Sequence, residues 1–430
     1  MFDCRNVDLI LDKGLLLKRF LLMVLFIFGC RNEQKPFHLN NNTYKMWQDF
    51  IKPTKKELAW AQIPWRSTFY DGLIESDKNQ KPLLLWVMNG HPLGCTWNNG
   101  AAGRRSVWSD PRIIHLSKQF IPATDEVWRL QGAKEEDATL FQKIANEGHY
   151  RKTGGTRQGI YVCSPSGKLL SSVNSLNPEV VIETINQGLK EWKNLPTLDK
   201  KLPENFSPFT SHRWEDSYPK NGLILKGAKA ELLSDPPNPS DRGDRWNMDH
   251  VWFSEQESHL WIPKVKNIGA IHECPKIIKD RLFRFHLVDN VRGQTLPFAP
   301  EEIKTANLNV ELVDINDANL ELKIFGDSEA IAKGKWKLGE NIWTPTHELD
   351  HSISTNILGK AIYDTNKNLF IQFELVVIGN WVGKTENNGR KLGPETGMIG
   401  MQYNLAENTS SNKIAPAFID MYNAGWVKHP

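Results

Sequence analysis

Residues 347–351 read His-Glu-Leu-Asp-His, the pattern H-E-x-x-H. On a helix the two histidines would stand one turn apart on the same side and could bind zinc, with Glu348 as the general base that activates water. The flanks oppose that helix: Pro345 comes just before it, Ser352 and Thr355 just after, and Gly359 soon follows. Glu374 could imitate a downstream ligand, yet Phe370-Ile371-Gln372-Phe373-Glu374-Leu375 alternates as a strand does. No third histidine follows at a spacing that would complete the set. A solvated turn is therefore the first expectation, and a zinc hydrolase built on His347, Glu348 and His351 the alternative. The second group that could do chemistry is Cys95, with His91 four residues before it. A thiol attacks as its thiolate, and a nearby imidazole could lower its pKa or join it as a metal ligand, although two ligands do not make a site. His250, in Asn247-Met248-Asp249-His250-Val251-Trp252, and His272, two residues before Cys274, are weaker candidates. Histidines satisfied by ordinary hydrogen bonds are the expectation for both.

The elements that position Cys95 can be laid out from the pattern. Leu83 to Met88 is a continuous apolar run between Lys81-Pro82 and Asn89-Gly90, which predicts a strand covered on both faces. Asp110-Pro111 supplies an N-cap and a first-turn proline for a helix with Ile113, Leu116 and Phe120 on one face. A second strand is expected near 120–127, and a helix with Leu140, Phe141 and Ile144 inward. Ser164-Pro165-Ser166-Gly167 is a turn signal that joins 160–163 to 168–173 as a hairpin. Asn177-Pro178 then caps a helix that turns Ile182, Ile185, Leu189 and Trp192 to one side.

Lys81 to Cys95, Lys-Pro-Leu-Leu-Leu-Trp-Val-Met-Asn-Gly-His-Pro-Leu-Gly-Cys, resembles the central strand and active-site turn of the thioredoxin-like family. The order of elements over 59–195 is similar to that family as well. The resemblance places Cys95 at the second, resolving cysteine and puts His91, Pro92 and Gly94 in the active-site turn. Pro92 stands where the attacking cysteine would be. Dithiol exchange starts from that first thiolate, so a proline there removes the nucleophile. The family's cis-proline is missing too, since the equivalent stretch is Thr156-Arg157-Gln158-Gly159. The resemblance thus implies the fold with its redox chemistry lost or reduced. The alternative is a monothiol oxidoreductase in which Cys95 forms a mixed disulfide with a partner or with Cys163.

Near the N-terminus, Lys18 and Arg19 precede the apolar run from Phe20 to Gly29, too short to span a bilayer but fitting the h-region of a secretory signal. Ile27-Phe28-Gly29-Cys30 resembles the bacterial lipobox, which implies that Cys30 becomes the lipidated N-terminus of an exported protein. An uncleaved anchor is the other reading. The 430 residues are 40% hydrophobic with a net charge of +3, enough for two or three domains and without the basic stripe of a nucleic-acid binder. Cys4 falls to the signal and Cys30 to lipid. Cys95, Cys163 and Cys274 remain, too few for a disulfide framework.

The expected organisation is a signal at 1–30, a tether with a leading helix at 31–58, the thioredoxin-like α/β domain at 59–195, and a proline-rich linker at 196–222. A mainly-β domain, sandwich or α+β, follows at 223–430. Its strand signals are 308–313, 320–325, 369–378 and 398–405, with one helix from Pro275 to about Phe285. Sixteen tryptophans, with Trp214, Trp246, Trp252 and Trp261 grouped early in that half, are expected mainly to fill cores, with glycan or peptide stacking the alternative. Together these point to a lipid-anchored, periplasmic or cell-surface protein that binds or scaffolds. Its partners would be the membrane, through Cys30, and an envelope protein or glycan. No cofactor is implied beyond the zinc of the hydrolase alternative.

Overall fold

The apolar run Leu83–Met88 forms strand β1, buried at every residue because both of its faces are covered. This is seen in a computed structural model that describes residues 39–430 except 151–154, 207–212, 234–241, 335–348, 386, 392–394, 423 and 429–430. The signal segment with Cys30, and the motif residues His347 and Glu348, lie outside the described residues. Leu83, Leu85 and Val87 enter one core with Phe69, Leu73, Phe141 and Tyr161. Trp86, on the opposite face, packs with Trp65 and Trp108, the last two edge to face at 4.8 Å.

β1 pairs in parallel with β2 (Ile121–Glu126) and antiparallel with β3 (Gly159–Cys163), which pairs in turn with β4 (Leu169–Val173). The sheet order is β2-β1-β3-β4. Its helices start where the sequence offers caps. Asp110 accepts from the Arg112 N–H ahead of Pro111–Ser117, and Asn177 from the Glu179 N–H ahead of Pro178–Asn194. The β3–β4 turn closes through the Gly167 N–H to Ser164 O at 3.0 Å. The buried stripe of Pro178–Asn194 is Val181, Ile185 and Gly188, slightly rotated from the expected face.

The second sheet has eight strands, all antiparallel: β5 (Leu223–Leu232), β6 (Arg242–Phe253), β7 (Ile271–Glu273), β8 (Ile303–Asn316), β9 (Asn319–Ala332), β10 (His351–Asp364), β11 (Leu369–Gly383) and β12 (Thr396–Leu405). Their order is β6-β5-β12-β11-β10-β9-β8-β7. Alternation builds it: Leu308, Val310 and Leu312 on β8 and Leu320, Leu322 and Ile324 on β9 point into one core, with polar residues between them. Ile278, Leu282 and Phe283, from the helix Lys276–Asp280 and the π-turn Arg281–His286, cover that core. The molecule is thus a small mixed α/β sheet followed by a large antiparallel one.

Two segments expected as connectors are built into the molecule. The helix Tyr44–Ile51 buries Trp47, Phe50 and Ile51, lies against the large sheet, and reaches Glu374 of β11 through Gln48 at 3.0 Å. The proline-rich stretch lies along the helix Phe69–Asn79: Phe206 stacks on Tyr70, and the Leu202 N–H donates to Asp77 at 2.9 Å. Residues 39–430 accordingly form one compact unit.

Gly227 on β5 stands opposite Tyr403 on β12, and a Cβ there would come within 2.4 Å of the tyrosine ring. We expect Gly227→Ala to cost about 1–3 kcal/mol by overpacking. It should be seen as a lower urea midpoint at unchanged slope. Gly425→Ala, where a Cβ meets nothing within 4 Å, should leave the midpoint unchanged.

Candidate functional site: the turn after β1 against β6

β1 ends at Met88, residues 89–97 form a turn closed by a bridge between Gly90 and Thr96, and the helix Asn98–Arg105 follows. The turn therefore sits at a strand-to-helix junction of a mixed sheet. Cys95 lies three residues ahead of the helix, and its side chain is buried. What covers it is β6 together with the segment that follows the π-turn Arg281–His286. The Asn290 side-chain amide donates to Cys95 Sγ at 3.3 Å. Asn247 on β6 donates to Thr96 O at 2.8 Å and to Asn290 O at 2.9 Å.

Arg104 closes the arrangement. One guanidinium nitrogen donates to Pro92 O and Gly94 O, both at 2.9 Å, and the other to Asn247 Oδ1 at 2.6 Å. The group is fully buried, with the rings of Trp60 and Trp246 5.7 and 5.3 Å away, and among the described residues it has no carboxylate partner. Gly94 lets the turn approach this closely, because a Cβ there would stand 3.1 Å from Ile414 and 3.5 Å from His250 Nδ1.

Next to the thiol lies a buried ionic network. Lys229 pairs with Asp249 at 3.1 Å and also donates to His286 O. Asp249 takes the Tyr403 hydroxyl at 3.0 Å and His286 Nδ1 at 3.0 Å, and His286 Nε2 meets the Tyr422 hydroxyl. Facing a carboxylate, His286 Nδ1 carries a proton, and burial lowers the pKa of the ring. Burial alone would raise the Asp249 carboxyl, but Lys229 and His286 outweigh it and hold the group well below the usual range. Burial and the Asp249 charge push the Cys95 thiol up to about 12, against the opposing pull of Lys229, Arg104 and the Asn290 bond. A thiol held there is almost wholly protonated at neutral pH.

His91 turns both ring nitrogens away from the sulfur. Nε2 donates to Ser67 O at 2.8 Å and Nδ1 accepts from the Leu93 N–H at 3.2 Å, so it orders the turn and does not activate the thiol. Pro92 and Gly94 serve through their carbonyls. Cys163 pairs with Leu83 at the start of β1, whereas Cys95 follows its end, a separation of roughly 17 Å or more along the strand. A bridge between them would require the sheet to open. Cys95, Cys163 and Cys274 are all free and buried.

His351 is the first residue of β10, tilted against Phe298 at 4.9 Å with Nδ1 facing Leu349 O, so the last residue of H-E-x-x-H begins a strand. His351 pairs with Gly383 while Glu374 pairs with Lys360, which puts them roughly 30 Å apart along β11. Among the described residues no group of three or more His, Cys, Asp or Glu side chains could hold a metal ion. Of the grouped tryptophans, Trp246, Trp252 and Trp261 are buried. A cleft of about 210 Å³ opens elsewhere on the α/β sheet, lined by residues that include Trp86, Met88, Trp108 and Leu176.

The residues that make this site and that motif reading passes over are Arg104, Asn247, Asn290, Lys229, Asp249 and His286. The one signal was Asn247-Met248-Asp249-His250, polar residues inside what is now seen as a buried strand. Compared with known proteins, the chain matches no protein-family model, no curated protein and no solved structure.

Removing the Asp249 charge leaves Lys229 buried without its counter-ion. We expect Asp249→Asn to cost about 3–5 kcal/mol, measured by chemical denaturation. A second expectation concerns acid. Burial lowers the pKa of His91, His250 and His286, so the folded protein holds them neutral. Below about pH 6.5 the unfolded chain binds protons that the folded one does not, and their contribution to stability, complete at higher pH, falls away. Glu126 and Glu215, which burial raises to about 8 and about 7, act with the opposite sign, so the comparison must be with a variant. His250→Gln should remove up to about 1.4 kcal/mol per pH unit from the slope of stability between pH 5 and 6, because one proton fewer is taken up on unfolding.

Proposed function

We propose that this chain is a non-redox binding or scaffold protein of the cell envelope, in which a thioredoxin-like unit has turned its former active-site face inward. The observation that carries this reading is the environment of Cys95: buried, bonded by Asn290, held under β6 by Arg104 and Asn247, and with its pKa raised. A redox thiol needs the reverse, an open electropositive setting that stabilises the thiolate. The thioredoxin-like assignment is supported by the strand order β2-β1-β3-β4, the parallel β1–β2 pair, the closing hairpin with its final helix, and the position of the turn after β1. Attachment through a lipid on Cys30 and an exported location rest on the sequence around that cysteine. Among the described residues no helix is long and apolar enough to cross a membrane.

The test is disulfide reductase activity. The protein should not accelerate insulin reduction by dithiothreitol, and Cys95→Ser should behave as wild type. Native protein should also show no fast-reacting thiol from Cys95, with reaction appearing on denaturation. Reductase activity lost in Cys95→Ser would replace this reading with the monothiol oxidoreductase. Labelling by a palmitate analogue that is lost in Cys30→Ser checks the anchor.

A further inference from the structure

Residues 264–269 are exposed without a break, between buried Pro263 and β7, the edge strand of the large sheet. The end of this loop is held by backbone bonds. The Ala270 N–H donates to Asn267 O at 2.9 Å, Gly269 takes φ +84°, and the loop's end is tied to Leu312 on β8 by two bonds, at 2.8 and 3.0 Å. Val265, Ile268 and Ile271 are 60, 65 and 62% exposed, the three most exposed valine or isoleucine side chains among the described residues. Val313, also exposed, follows Leu312 on the neighbouring strand.

The charges carried by the loop itself have one sign. Lys264 and Lys266 alternate with the aliphatic residues, and no acidic residue occurs from Pro263 to His272. Of the carboxylates beside it, Glu273 pairs with Lys279 at 2.6 Å and Glu311 with Lys323 at 3.6 Å, while exposed Asp314 accepts from the Ile315 N–H at 2.8 Å. Aliphatic side chains at an exposed tip, interleaved with lysines whose stems can lie along apolar surface while their heads stay in the headgroup layer, match the interface of an anionic bilayer. A second copy docked on the same patch would instead bring lysines against lysines.

We propose that the loop 263–271 is a membrane-contacting tip, with Val265, Ile268 and Ile271 entering the interface of an anionic lipid surface and Lys264 and Lys266 engaging its phosphates. This rests on the membrane association proposed above and assigns that association a second point of contact, on the folded body.

The test uses the full chain with Cys4→Ser, Cys30→Ser and Ile268→Cys, labelled at residue 268 with an environment-sensitive NBD probe. Cys95, Cys163 and Cys274 are buried, and a control carries the probe at Val382→Cys, on β11. Vesicles of two parts phosphatidylcholine to one part phosphatidylglycerol should shift the emission of the probe at 268 to the blue. Doxyl-labelled acyl chains should quench it, and the control should not respond. Lys264→Gln with Lys266→Gln should weaken the response about 25-fold, since each lysine near an anionic surface is worth a factor of about five. A chain that floats with the vesicles while the probe at 268 keeps its aqueous emission overturns this inference, because the contact with lipid then lies outside the loop. A blue shift without vesicles that grows with protein concentration overturns it in favour of self-association. Palmitate labelling at Cys30 reports the anchor separately, so the two readings fail independently.

Discussion

A buried guanidinium with no opposing carboxylate among the described residues is the constraint on which the joint between the two sheets depends. Arg104 gathers the carbonyls of Pro92 and Gly94 and the side chain of Asn247, and lies beside the indole rings of Trp60 and Trp246. A cation taken out of water is tolerated only where fixed dipoles replace its hydration, so the partners of Arg104 must all be in place together. Those partners come from the turn after β1 and from β6. The same requirement that orders the guanidinium therefore orders the joint.

That joint explains the state of the thiol. In a two-cysteine turn the sulfur that starts the chemistry faces solvent. Here the turn packs against the Asn247 side chain of β6 and against Asn290, which follows the π-turn. A turn in which Pro92 offers no thiol and Cys95 is buried can be used as packing surface. The Lys229–Asp249–His286 network behind it is satisfied on every side that the hydrogen bonds describe, and gives the interior under Cys95 a defined polar arrangement.

How far could this be read from the chain? Local signals carried well. The apolar run at 83–88, the Asp110 and Asn177 caps and the Ser164–Gly167 turn each act within a few residues, and each became the element expected. The alternation of β8 and β9 was equally plain, because one face is wet. The rotated face of Pro178–Asn194 was not legible: Gly188 has no side chain to score, yet it is the residue that admits Val162. β6 was harder still. Its residues 246–253 are buried on both faces while carrying Asn, Asp and His, and the partners of Asn247, Arg104 and Asn290, lie 143 and 43 positions away in sequence. Periodicity cannot report a partner at such distances.

The helix Tyr44–Ile51 lies on the large sheet, with Ile51 packed where Gly400 leaves room, before the chain crosses to the α/β sheet and returns. The route resembles a loop of rope clipped at both ends to the same beam. Tension drawn on the polypeptide ahead of Tyr44 is delivered straight to β11 and β12, and the smaller sheet hangs outside the line of force. Whatever pulls on this molecule from its N-terminal side loads the broad sheet first and spares the Cys95 turn.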